Sequence, residues 1–96
     1  MLARHMKPTK AQARQNRIQR QIKQLLKTYH PERVFSAHDM ASSMREVWSR
    51  VPTNREISHA LIRLAEQRVV NRARHYERQS NAGNTNMYVV NAHFTE

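Results

Sequence analysis

The run from Thr53 to Gln67 (TNREISHALIRLAEQ), with Arg68-Val69-Val70-Asn71-Arg72 following it, leaves this chain the fewest choices. Thr53 with Glu56 three residues on is a capping box. The threonine hydroxyl accepts from a free amide of the first turn, and the glutamate reaches back to the Thr53 amide. Pro52 stands just outside the cap, where its missing donor costs nothing. Ile57, Ala60, Leu61 and Leu64 recur at helical spacing and predict one buried face. Asn54, Arg55, Ser58, His59 and Arg63 are left on the opposite face. These are the short polar and cationic side chains that reach base edges and phosphates. An ordinary wet outer face reads the same way when the helix is taken alone, so the surroundings have to decide.

With 96 residues the chain makes one domain around one modest core. Seventeen Lys and Arg stand against seven Asp and Glu, a net charge of +10. Such an excess either stays solvated or meets an anionic partner, and nucleic acid is the commonest one. No stretch is apolar enough to span a membrane or anchor in one. There is no cysteine, hence no disulfide framework and no thiolate metal site. With no signal peptide visible either, the expected location is intracellular: cytoplasmic, nucleoid-associated or nuclear.

Residues 1–10 carry Arg4, Lys7 and Lys10 around Pro8 and read as a flexible basic arm, with residues 11–96 as the folded domain. His5-Met6 resembles the remnant of a cloning site, which would place the natural start at Met6. Helix 1 is predicted from about Ala11 to Tyr29, entered at Thr9 or Lys10. Its apolar face is Ile18, Ile22, Leu25, Leu26 and Tyr29. Arg14, Arg17, Arg20, Lys23 and Lys27 occupy the rest, and no acidic residue precedes Glu32. A merely solvated face mixes signs to gain i,i+4 pairs. This one does not, which favours phosphate contact by residues such as Arg17 and Arg20.

Pro31 ends that helix, because it disfavours the helical conformation at His30. Val34-Phe35 reads as a minimal strand. Ser36, with Asp39 at the third position, caps a second helix from Ala37 to about Met44. Arg45 to Val51 either extends it or forms a long turn, and Trp48 is a core or seam residue, or packs a partner. After the organising helix, Val69 to Tyr76 and Thr85 to Asn91 read as two strands around a polar stretch, Glu77 to Asn84, that holds Gly83. Phe94 is a candidate to fold back on the core.

Helix, short strand, helix, turn, helix and hairpin in this order resemble the winged helix-turn-helix, an α+β fold of three helices with a C-terminal β-hairpin wing. The resemblance covers about Ile18 to Val90. It is sharpest where a hydroxyl cap (Thr53) is followed by Ile57, Ala60-Leu61, Leu64 and then Val69-Val70. It implies a third helix in the major groove of duplex DNA and a wing on the backbone or minor groove. Carried over, Asn54, Arg55, Ser58, His59 and Arg63 are the groove-facing set, and Arg72, Arg74, Arg78 and Asn81 the wing contacts. Two positions depart from the pattern. Arg68 stands where the family usually has glycine, and the segment around Trp48 is longer than the usual tight turn.

Catalytic chemistry finds no support. His5, His30, His38, His59, His75 and His93 offer no i,i+3 or i,i+4 pair for a metal. There is no glycine-rich phosphate loop and no nucleophile elbow, so neither a cofactor nor a metal is expected. The leading expectation is a sequence-specific duplex DNA-binding protein, a regulator of transcription or replication, with sequence-neutral architectural binding as its variant. A different class is a protein-interaction module docking on an acidic partner such as a polymerase or nuclease subunit. RNA fits less well, since no RNA-recognition aromatic motif is present. A homodimer reading two half-sites is compatible with the chain.

Overall fold

Each helix starts on a hydroxyl that the sequence supplies. The computed structural model describes residues 9–73 and 86–95. It contains α1 (Lys10–Leu26), α2 (Ala37–Val47), α3 (Asn54–Glu66), β1 (Val70–Arg72) and β2 (Tyr88–Val90), with a 3-10 turn over Ala92–Thr95. Thr9, Ser36 and Thr53 are the three N-caps, and all three boxes are closed reciprocally by Gln12, Asp39 and Glu56. In the first, the Thr9 hydroxyl accepts from the Gln12 amide at 3.1 Å while Gln12 Oε1 accepts from the Thr9 amide at 3.0 Å. Losing such a cap costs about 1 kcal/mol.

The helices bury the faces their periodicity predicts. Ile18, Ile22, Leu25 and Leu26 of α1 meet Met40, Ala41 and Met44 of α2 and Ile57, Ala60, Leu61 and Leu64 of α3 in one core. β1 and β2 pair antiparallel, Val70 with Val90 and Arg72 with Tyr88, and turn Val70, Tyr88 and Val90 inward. Three helices followed by this two-stranded antiparallel unit are the α+β layout of a winged helix with a β-hairpin wing. Phe94 packs against the core from the closing turn, as expected. Asn91 anchors that turn: its Nδ2 donates to Asn71 Oδ1 at 3.1 Å and its Oδ1 accepts from the His93 amide at 2.9 Å.

Several boundaries move. α1 stops at Leu26 rather than Tyr29, because the Thr28 and Tyr29 amides bond to the carbonyls three residues back, tightening the chain ahead of Pro31. Tyr29 is still buried, its hydroxyl 2.7 Å from Ser43 Oγ. α2 continues one turn past Met44 to Val47. Its C-cap, Trp48, leaves in extended conformation and packs half-buried on the core. Val34-Phe35 makes no strand of its own: Phe35 forms one isolated bridge, to Tyr88, with both hydrogen bonds made at 2.9 and 2.7 Å. Its ring sits edge-on to Tyr29 at 5.1 Å and tilted against Tyr88 at 6.2 Å, contacts worth roughly 0.5–1.5 kcal/mol each beyond burial. β1 opens at Val70 rather than Val69, and β2 spans Tyr88 to Val90 within the expected Thr85 to Asn91. The arm before Thr9 and the stretch 74–85 lie outside the described residues.

Arg68 takes the left-handed conformation, φ 62°. The reason lies in the helix end. The Arg68 amide reaches Ala65 O at 3.1 Å and the Val69 amide reaches Leu64 O at 2.9 Å, the paired bonds of a Schellman cap, which need one left-handed residue. A glycine would take it freely; arginine does so at a cost of about 1 kcal/mol.

Candidate nucleic-acid interface

The outward side of α3 follows from its buried side. With Ile57, Ala60, Leu61 and Leu64 inside, the residues facing solvent are Asn54, Arg55, His59, Ile62, Arg63 and Glu66, while Ser58 is only half-buried at the edge. Over the first two turns this surface carries an amide, a guanidinium and an imidazole. None of Asn54, Arg55 and His59 has a side-chain partner among the described residues. The acid of the first turn, Glu56, is held at the flank. Arg14 of α1 grips it through Nε to Oε2 and through Nη2 to Oε1 at 3.1 Å, while Oε1 also accepts the Thr53 amide at 3.0 Å. The Arg14 hydrogen bond, then the Thr53 amide, brings the Glu56 carboxyl down to about 2. The same carboxylate raises the Arg14 guanidinium above its ordinary value.

This pair links residues far apart in the chain, and periodicity could not reveal it. Two other omissions were legible. Ile62 and Glu66 continue the row of Arg55 and His59 at offsets of three and four, so the C-terminal half of the outward face holds an apolar side chain, 45% exposed, and a carboxylate. The face is therefore divided: its first two turns show only donors and cations, whereas its C-terminal half adds Ile62 and Glu66 beside Arg63.

Two grooves border that row. The larger, about 1160 Å³, opens between the N-terminal half of α1 and the middle and C-terminal half of α3, and its walls include Gln12, Gln15 and Asn16 from α1 with His59 and Arg63 from α3. Its base is a chain of amides: Gln67 Nε2 donates to Gln19 Oε1 at 3.0 Å and Gln19 Nε2 to Gln15 Oε1 at 3.2 Å. Gln12 Oε1 is committed to the Thr9 amide, so its NH2 group is the part of the side chain left to donate. The smaller groove, about 440 Å³, lies beyond Ile62 and is lined by Glu66, Asn71, Arg72 and Asn86. There Arg72 Nη2 donates across the strands to Asn86 Oδ1 at 2.6 Å, which fixes the root of the wing beside α3.

Of the residues singled out from the sequence, Asn54, Arg55, His59, Arg63 and Arg72 come together on this side, with Ser58 at its margin. Arg17 and Arg20 do not join them. Both are exposed on the side of α1 away from Ile18 and Ile22, and neither lines the groove. Arg74, Arg78 and Asn81 lie outside the described residues. Among the described residues no three His, Cys, Asp or Glu side chains cluster as a metal site, and no helix is long and apolar enough to cross a membrane. Comparison of the chain with protein-family models, with curated proteins and with solved structures returned no match.

Proposed function

We propose that the protein binds duplex DNA sequence-specifically, as a small regulator of transcription or replication, with the N-terminal half of α3 as its reading surface. The observation that carries this reading is the division of the α3 face. Glu56, the acid that would repel phosphate, is drawn aside by Arg14, and Asn54, Arg55 and His59 project from the first two turns without partners. A recognition helix reads base edges with its N-terminal residues. Arg55 is the residue assigned to a base, since a guanidinium matches the two acceptors of guanine; Asn54 is next, by its fit to adenine. Arg63, beside the amide groove, and Arg72, at the wing root, serve the flanking backbone. No step here requires a catalytic group, a cofactor or a metal.

The test is selection of bound duplexes from a random library at physiological salt. An enriched motif supports base reading, and its symmetry reports one copy or two. Binding without a motif would leave an architectural role. Ile62 and Glu66 favour a second reading, a protein-docking module, because an exposed aliphatic residue beside a carboxylate suits a protein surface better than phosphate. No retained duplex, with NMR resonances of α3 unmoved by DNA, would replace the first reading with the second.

A further inference from the structure

α1 presents a second charged surface that the α3 site does not use. Lys10, Arg17, Arg20 and Lys27 are all exposed and follow one another at offsets of seven, three and seven, which keeps them on one side of the helix. α1 contains no acidic residue, and among the described residues the one ion pair is Arg14 with Glu56, so these four cations stand uncompensated. At about 1.5 Å per residue the stripe is roughly 25 Å long. The groove shared with α3 lies on the other side, against Gln12, Gln15 and Gln19. The body of α1, about 10–12 Å across, therefore separates the stripe from a duplex lying on α3.

We propose that this stripe holds a second DNA duplex, so that one protein molecule bridges two duplexes back to back. Duplex DNA carries one charge per about 1.7 Å of axis, and a rigid row of four cations is its complement. A lipid surface fits less well, because the apolar side of α1 (Ile18, Ile22, Leu26) is buried in the core and has nothing to insert. The sharing of unlike charges that stabilises ordinary helix surfaces is absent here, and Arg17 with Arg20, three apart, repel each other. Bridging rests on the reading of α3 as the first DNA surface; the stripe itself does not.

The experiment is a capture assay: a duplex fixed to a bead, the full chain, and a second, fluorescent duplex, run beside anisotropy measurements on one selected duplex. The double variant Arg17→Gln with Arg20→Gln keeps helix propensity and touches no core residue. It should bind the single duplex within about threefold of wild type while losing capture of the second by tenfold or more. Capture that survives the double variant would mean two copies rather than two faces and would overturn the proposal. A parallel loss of single-duplex affinity would do the same, by placing the stripe on the α3 surface. So would tighter retention of the wild type on phosphatidylserine vesicles than on DNA. A wild type that binds one duplex but never captures another sinks bridging and spares α3. If it binds none, both readings fall.

Discussion

α1 and α3 begin alike, each at a threonine capping box, and each commits a stripe of aliphatic residues to the same core, yet their wet faces obey different rules. α3 interleaves Glu56 and Glu66 with Arg55, His59 and Arg63. α1 carries Lys10, Arg14, Arg17, Arg20 and Lys23 and no acid at all. The difference shows which charges the fold itself uses. Glu56 caps α3 and ties it to α1, and Arg14 is the cation recruited to hold it. Among the described residues the remaining cations of α1 close no cap and make no ion pair; of them, only Lys23 stands in the last turn, where a cation complements the helix dipole.

The largest effect that would test this contrast strikes the core both helices share. Leu61→Ala removes a fully buried side chain and should cost about 2–5 kcal/mol by urea unfolding. A loss below about 1 kcal/mol would mean that α3 is not held by the common core. Next comes Arg55→Ala, expected to cost roughly 1–3 kcal/mol at one base position of the selected duplex. Arg17→Ala, by contrast, should leave the ranking of duplex sequences unchanged. If both variants reorder it, the two helices form one surface and the contrast is wrong. Arg68→Gly should raise stability by about 1 kcal/mol, since the left-handed φ is then adopted freely; no gain on thermal unfolding would locate the Schellman bonds elsewhere.

The smallest effect is the pH dependence of the tie between the helices. The Glu56 carboxyl lies at about 2 in the folded protein, below the ordinary 4.5. Its contribution is complete above pH 4.5 and fades as the pH falls toward 2. Glu56→Gln should flatten that part of the stability curve and leave the neutral arm nearly unchanged in shape. Because the pair is partly solvated, the change is also expected to shrink with salt.

Most of the architecture was legible because it rests on local rules. Ser36 and Thr53 announce their helices, Ile57 to Leu64 announce the buried side, and the place of Arg68 just past α3 marks a left-handed cap. Prediction failed where contacts are distant. Nothing near Phe35 says that it will bridge to Tyr88 rather than start a strand, and nothing near Arg14 points to Glu56. The candidate surface on α3 was half legible for the same reason. Spacing gave Asn54, Arg55, His59 and Arg63 their shared exposure. It did not show that Arg17 and Arg20 would be turned away, because that depends on which side of α1 the core claims relative to α3. Ile62 and Glu66 share the helical periodicity of Arg55 and His59, but their residue types carry no nucleic-acid signal.

The bridge from Phe35 to Tyr88 sets an order of events during synthesis. The three helices and the caps that start them are all encoded before Gln67, and the caps close within three residues. Phe35, however, finds its backbone partner more than half a chain later. At about 5–20 residues per second, the helices are made on the order of seconds before Tyr88 exists. Until then the ring of Phe35 has Tyr29 but not Tyr88 against it, and the Phe35 amide and carbonyl lack their strand partner. The backbone of Phe35 is therefore paired only once the second strand has been made, so this bridge is among the last contacts the chain can close.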